Sequence, residues 1–152
     1  MRAFVERFDT QDRNFALSEA CARAILSVDA ELALPHWLVE RFTNTERGLT
    51  GAGMARRGAN PAALLRVYLA FERAEEAARL ALKELTLWSR RSAIDRTAHA
   101  ACWFPMNMIL EARDRCANDA SLRHLGEALS AAIDAHGACV EKDSAMLAQV
   151  SA

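Results

Sequence analysis

Aromatic side chains make up only 7 % of this chain, and alanine dominates its apolar share. A β-sandwich would draw on more Val, Ile, Thr and Tyr, so the composition favours close-packed helices with small side chains at their contacts. No apolar run approaches the roughly 18 residues of a membrane span, which argues against one. Charge of one sign is also missing: 19 basic residues face 20 acidic ones, for a net charge of −1. A nucleic-acid binder needs a concentrated basic excess, so direct nucleic-acid binding is not expected. The pairs Arg56-Arg57 and Arg90-Arg91 read as solvated loop charge. The N-terminus, MRAFVERFDTQDR, carries Glu6, Asp9 and Asp12 and lacks an apolar core, unlike a secretory signal or a transit peptide. Cys21, Cys102, Cys116 and Cys139 are widely spaced, and three fall at helical apolar positions. Reduced, buried thiols are the expectation.

Apolar residues make up 52 % and charged residues 26 %, the balance of a globular chain. A single helical domain over residues 1–152 follows, able to bury roughly 68–70 % of its unfolded surface. The segment Pro61–Leu85 is the most informative. Asn60 suits an N-cap, and Pro61 suits the first helical position, where a missing N–H costs nothing. Leu64, Val67, Tyr68 and Phe71 then recur at one helical face. Ala74, Ala77, Ala78, Ala81, Leu85 and Trp88 repeat the pattern out of phase, with Glu72-Arg73-Ala74 as the corner. Two amphipathic helices of this kind form an αα-hairpin, the building unit of helical solenoids. Leu64, Leu65, Tyr68, Phe71 and Leu85, together with Trp37, form its expected core.

Before the hairpin, Asp12–Val28 reads as a helix with Leu17, Cys21, Ala24, Ile25 and Val28 along one stripe. Pro35 opens a short apolar helix, PHWLVERF, and residues 43–59 form a surface loop with glycines at 48, 51, 53 and 58. After the hairpin, Trp103-Phe104-Pro105 starts a helix through Met108, Ile109, Ala112 and Cys116. The last segment, Asp119–Val150, is the longest. Its stripe runs Leu122, Leu125, Leu129, Ala132, His136, Cys139, Asp143, Met146 and Val150, widened by Ile133, Val140 and Leu147. Gly126 and Gly137 each weaken a free helix by about 1 kcal/mol, so this one needs packing partners. Two readings stay open: the helix packs on its own domain, or it offers Leu122, Leu125, Leu129, Ile133, Val140, Met146 and Leu147 to another chain. His136 and Asp143 then mark either the seam's edge or that contact.

Chemistry is hard to place. The glycine loop lacks the third glycine of a dinucleotide fingerprint and the Lys and Ser/Thr of a P-loop. His99, Cys102, Cys116 and His124 echo a zinc finger only loosely, because the last pair is too far apart and Cys116 closes an apolar stripe. No nucleophile elbow is present, and Glu75 pairs with Arg79 on an outer helix face. We expect no catalysis, no cofactor, no metal and no small-molecule substrate. An all-α, α-solenoid-like stack of about six helices, with a long C-terminal helix, is the expected architecture.

Four elements, in order and spacing, carry a resemblance: Leu34-Pro35 with Trp37-Leu38-Val39; Leu64-Leu65-Arg66 with Tyr68-Leu69; Glu75-Glu76-Ala77; and Trp103-Phe104-Pro105 with Ile109-Leu110. Together with the register of the closing helix, Leu125 to Leu147, they resemble the C-terminal helical region of the one-sixty-kilodalton scaffold nucleoporin family of the nuclear pore's outer ring. The likeness covers roughly residues 24–149. It departs at residues 43–59, where that family has a shorter connection. The resemblance implies a structural component of the Y complex at the nuclear envelope. It would bind other helical nucleoporins and support transport of protein and mRNA. The alternative is a stand-alone tetratricopeptide-like adaptor binding peptides or proteins in the cytosol, which expects a repeat of about 34 residues.

Overall fold

The computed structural model describes residues 15–43, 60–90 and 105–151. These are all-helical: α1 (Ala16–Val28), α2 (His36–Thr43), α3 (Pro61–Ala70), α4 (Ala74–Ser89), α5 (Met106–Ala117) and α6 (Arg123–Ser151), with no strand among the described residues. Contacts divide the chain into two compact units, Met1–Glu72 and Arg73–Ala152, and within each unit consecutive helices pack on one another. The division falls at the corner between α3 and α4. Each helix of the expected hairpin therefore finds its core within its own unit.

In the first unit, α1, α2 and α3 pack pairwise. Helix α3 begins as expected: Asn60 Oδ1 accepts from the Ala63 N–H at 3.1 Å, and Pro61 occupies the first turn. Nearly every side of α3 is covered, with Ala63, Leu64, Leu65, Val67, Tyr68 and Leu69 all buried, as befits a helix enclosed by its neighbours. The expected stripe of α1 is displaced by one residue. Ser18, Ala22 and Leu26 face the core, whereas Leu17, Cys21 and Ile25 are half-buried and Ala24 and Val28 are exposed. Ser18 tolerates that position because Arg41 Nε donates to its hydroxyl, removing the cost of an unpartnered buried polar group. Arg41 also lies over the Phe15 ring, which stacks on Phe42 with centroids 5.8 Å apart.

In α2, Leu38 and Phe42 take the inward i, i+4 positions, which turns Trp37 to the side, half-buried and not a core residue. Thr43 belongs to the helix and not to the loop: it is buried, and its Oγ1 donates to the Val39 carbonyl. Residues 44–59 lie outside the described residues. Their flanks meet directly, since the Asn60 N–H donates to the Phe42 carbonyl at 2.8 Å. A long insertion between ends held together in this way costs little extra closure entropy.

At the corner, Glu72 takes the left-handed conformation with φ 58°, and its N–H donates to the Leu69 carbonyl at 3.2 Å. This is the 5→2 bond of a helix C-terminal turn in which glycine is the usual residue. Phe71 lies in that turn beyond the end of α3, so it leaves the helical register and is only half-buried.

The second unit joins α4, α5 and α6. Its core is Ala77, Ala78, Ala81, Leu85 and Trp88 from α4, Ile109, Ala112 and Cys116 from α5, and Leu125 and Leu129 from α6. Small residues allow the axes to approach closely. At Gly126 an added Cβ would lie 3.1 Å from the backbone nitrogen of Ala117 and 3.4 Å from the Arg113 carbonyl oxygen. This glycine marks a close crossing of α5 and α6. Nothing lies within 4 Å of a Cβ built at Gly137.

Candidate interaction surface on the last helix

Helix α6 has 29 residues, roughly 44 Å of rod at 1.5 Å per residue. Its two halves behave differently. Toward the N-terminus, Leu125 and Leu129 point into the three-helix core at 6 % and 0 % exposure. Neither can serve as an interface residue, which corrects that part of the expected surface. They lie one turn apart on the face that α4 and α5 cover, and sequence periodicity does not distinguish an inward face from one left for a partner. Leu122, in the turn before α6, and Ile133, further along it, are half-buried.

Toward the C-terminus the same helix exposes apolar side chains: Val140 at 39 %, Met146 at 40 %, Leu147 at 47 % and Val150 at 81 %. Val140 and Leu147 are seven residues apart and share a face, and Met146 and Val150 are one turn apart on its flank. Val150 belongs to this group although it was not among the expected interface residues; its place in the apolar stripe was the available signal. Asp143 falls within the stripe and is buried. The expected surface therefore contracts to Val140, Met146 and Leu147.

His136 meets its own unit. Its ring lies 4.3 Å, centroid to centroid, from that of Trp88 on α4. Burial pushes the imidazole below its ordinary value of 6.5, because a charged ring is disfavoured away from water. Trp88 is itself 4 % exposed, a core tryptophan.

Of the loose zinc pattern, His99 and Cys102 lie outside the described residues, as do the glycine loop and Trp103. Cys116 is buried, its thiol donates to the Ala74 carbonyl, and desolvation raises its pKa, so it stays protonated. Cys21 and Cys139 are half-buried, not fully buried as expected. Among the described residues no three His, Cys, Asp or Glu side chains gather as a metal site, and no helix is long and apolar enough to cross a membrane. The Glu75–Arg79 pair forms at 2.9 Å on exposed surface. Comparison with protein-family models, with curated proteins and with solved structures finds none that matches this chain.

Proposed function

We propose that this chain is a structural, non-catalytic scaffold component of the nuclear pore's outer ring. In this reading it binds other helical nucleoporins of the Y complex at the nuclear envelope and so supports transport of protein and mRNA. The observation that carries the binding role is the exposed apolar row Val140, Met146 and Leu147 on the distal half of α6. Burying such side chains contributes about 25 cal/mol per Å² before ordering costs, and a helix presenting them is suited to lie against another helix. Support for the particular assembly comes from the resemblance of the four ordered elements between Leu34 and Leu110 and from the all-helical architecture of the described residues.

A pull-down from nuclear envelopes with this chain as bait tests the reading. Capture of Y-complex nucleoporins by the wild-type chain, and loss of capture by Val140→Asp with Leu147→Asp, is the expected result. If a bait shown by circular dichroism to be helical captures none of them, the adaptor reading replaces this one.

A further inference from the structure

A second surface, on α4, has a different chemistry. Arg79, Lys83 and Thr86 follow one another along a single line of α4, which Arg90, the C-cap residue, continues, with Leu82 and Leu87 to either side, and Leu125 closes the floor of an open groove of about 500 Å³. Most arginines here sit on acids: Arg23 and Arg66 on Glu19, Arg73 on Glu76, Arg115 on Glu111. Lys83 and Arg90 form no ion pair among the described residues, and no carboxylate lines the groove. Arg79 is engaged at the groove's end by Glu75, in a pair whose two side chains stay exposed.

We propose that this groove docks an acidic amphipathic helix of a partner protein. Leu82 and Leu87 would receive its apolar side chains, and Lys83 and Arg90, with Arg79 beyond, would receive its carboxylates. From Arg79 to Arg90 the cations extend over about 16 Å of helix, a length that three turns of a partner helix lying alongside α4 would match. An open trough leaves a small molecule largely wet, whereas a rod can cover it along its length. Phosphate backbones fit less well, since the floor is apolar and the chain as a whole carries a net charge of −1. The proposal does not rest on the nuclear-pore reading and uses no residue of the distal α6 surface.

Fluorescence anisotropy on the full chain provides the test. The probe is a labelled helical peptide of about four turns carrying glutamates and leucines at i, i+3 and i+4 spacing, compared with its lysine-for-glutamate counterpart. The glutamate peptide should bind at least about tenfold more tightly, and the difference should shrink as salt rises toward about 0.3 M. Lys83→Glu with Arg90→Glu, both at exposed positions, should reverse the preference while leaving the helical circular dichroism unchanged; Val140→Asp with Leu147→Asp should not affect it. Equal binding of the two peptides, no binding of either, a preference that survives the charge reversal, or tighter binding of a labelled oligouridylate would each overturn the proposal.

Discussion

Arg66 on α3 grips the carboxylate of Glu19 on α1 with two bonds, Nε to one oxygen at 3.1 Å and a terminal nitrogen to the other at 2.7 Å. Arg23 bonds the same carboxylate from one turn further along α1. The Arg66 hydrogen bond leads in holding the Glu19 carboxyl below its ordinary value of 4.5, against the opposing effect of burial. Because Arg66 is half exposed, solvent screens the pair, and a double-mutant cycle of Glu19→Gln and Arg66→Gln should give a coupling of about 0.5–1 kcal/mol. The folded-state value is the lower one. The contribution is therefore fully present above pH 4.5 and is lost as pH falls through the folded value, measurable as denaturation midpoints at successive pH values.

His136 gives a second, separate pH window. Its value is also depressed in the folded state, so the unfolded chain takes up the proton first. Stability of the second unit should be greatest above pH 6.5 and decline as pH falls below it. A melting temperature a few degrees lower at about pH 5.5 than at about pH 7.5 is expected for the wild type, with much of that difference gone in His136→Phe.

The two glycines of α6 should respond oppositely to alanine. At Gly137 there is open space, and Gly137→Ala should stabilise by up to about 1 kcal/mol. At Gly126 the new methyl meets the backbone of Ala117 at 3.1 Å, which cannot swing aside as a flexible side chain would. The two helices would have to separate there. Gly126→Ala should therefore destabilise by about 1 kcal/mol net in urea unfolding, despite its better helix propensity.

Glu72 holds a backbone conformation that most side chains avoid. Glu72→Gly should be neutral or stabilising by up to about 1 kcal/mol, and Glu72→Val destabilising by about 1–2 kcal/mol, since branching at Cβ worsens the left-handed conformation. Urea midpoints of the two variants check the sign of each.

Thiol accessibility follows burial. Cys116 should react with a thiol reagent only on unfolding, whereas Cys21 and Cys139 should react measurably in the native chain. The rate per cysteine, followed by mass spectrometry, checks this: a buried, protonated thiol is a poor nucleophile.

Much of the helical layout was legible in local signals. Asn60-Pro61 started α3 where a cap and a fixed φ require it, and the alanine register of α4 faced inward as its periodicity predicted, with Ala74 half-buried at its start. The inward face of α1 differs from its apolar stripe because Ser18 takes a core position, where Arg41, 23 residues away, donates to its hydroxyl. Leu125 and Leu129 turn inward for a related reason. Apolar spacing marks a face to be covered but not which element covers it.

The chain's own order of residues was enough to determine that the described residues are helical, where α3 begins, where the chain turns between α3 and α4, and which helix faces are apolar, because caps, φ restrictions and periodicity act over a few neighbouring residues. Only the tertiary structure decided that α3 and α4 serve separate cores, that Gly126 is a contact and Gly137 is not, and that Val140 and Leu147 stay open while Leu129 is enclosed. Those outcomes depend on which distant atoms arrive within a few ångströms, and no local pattern encodes that distance.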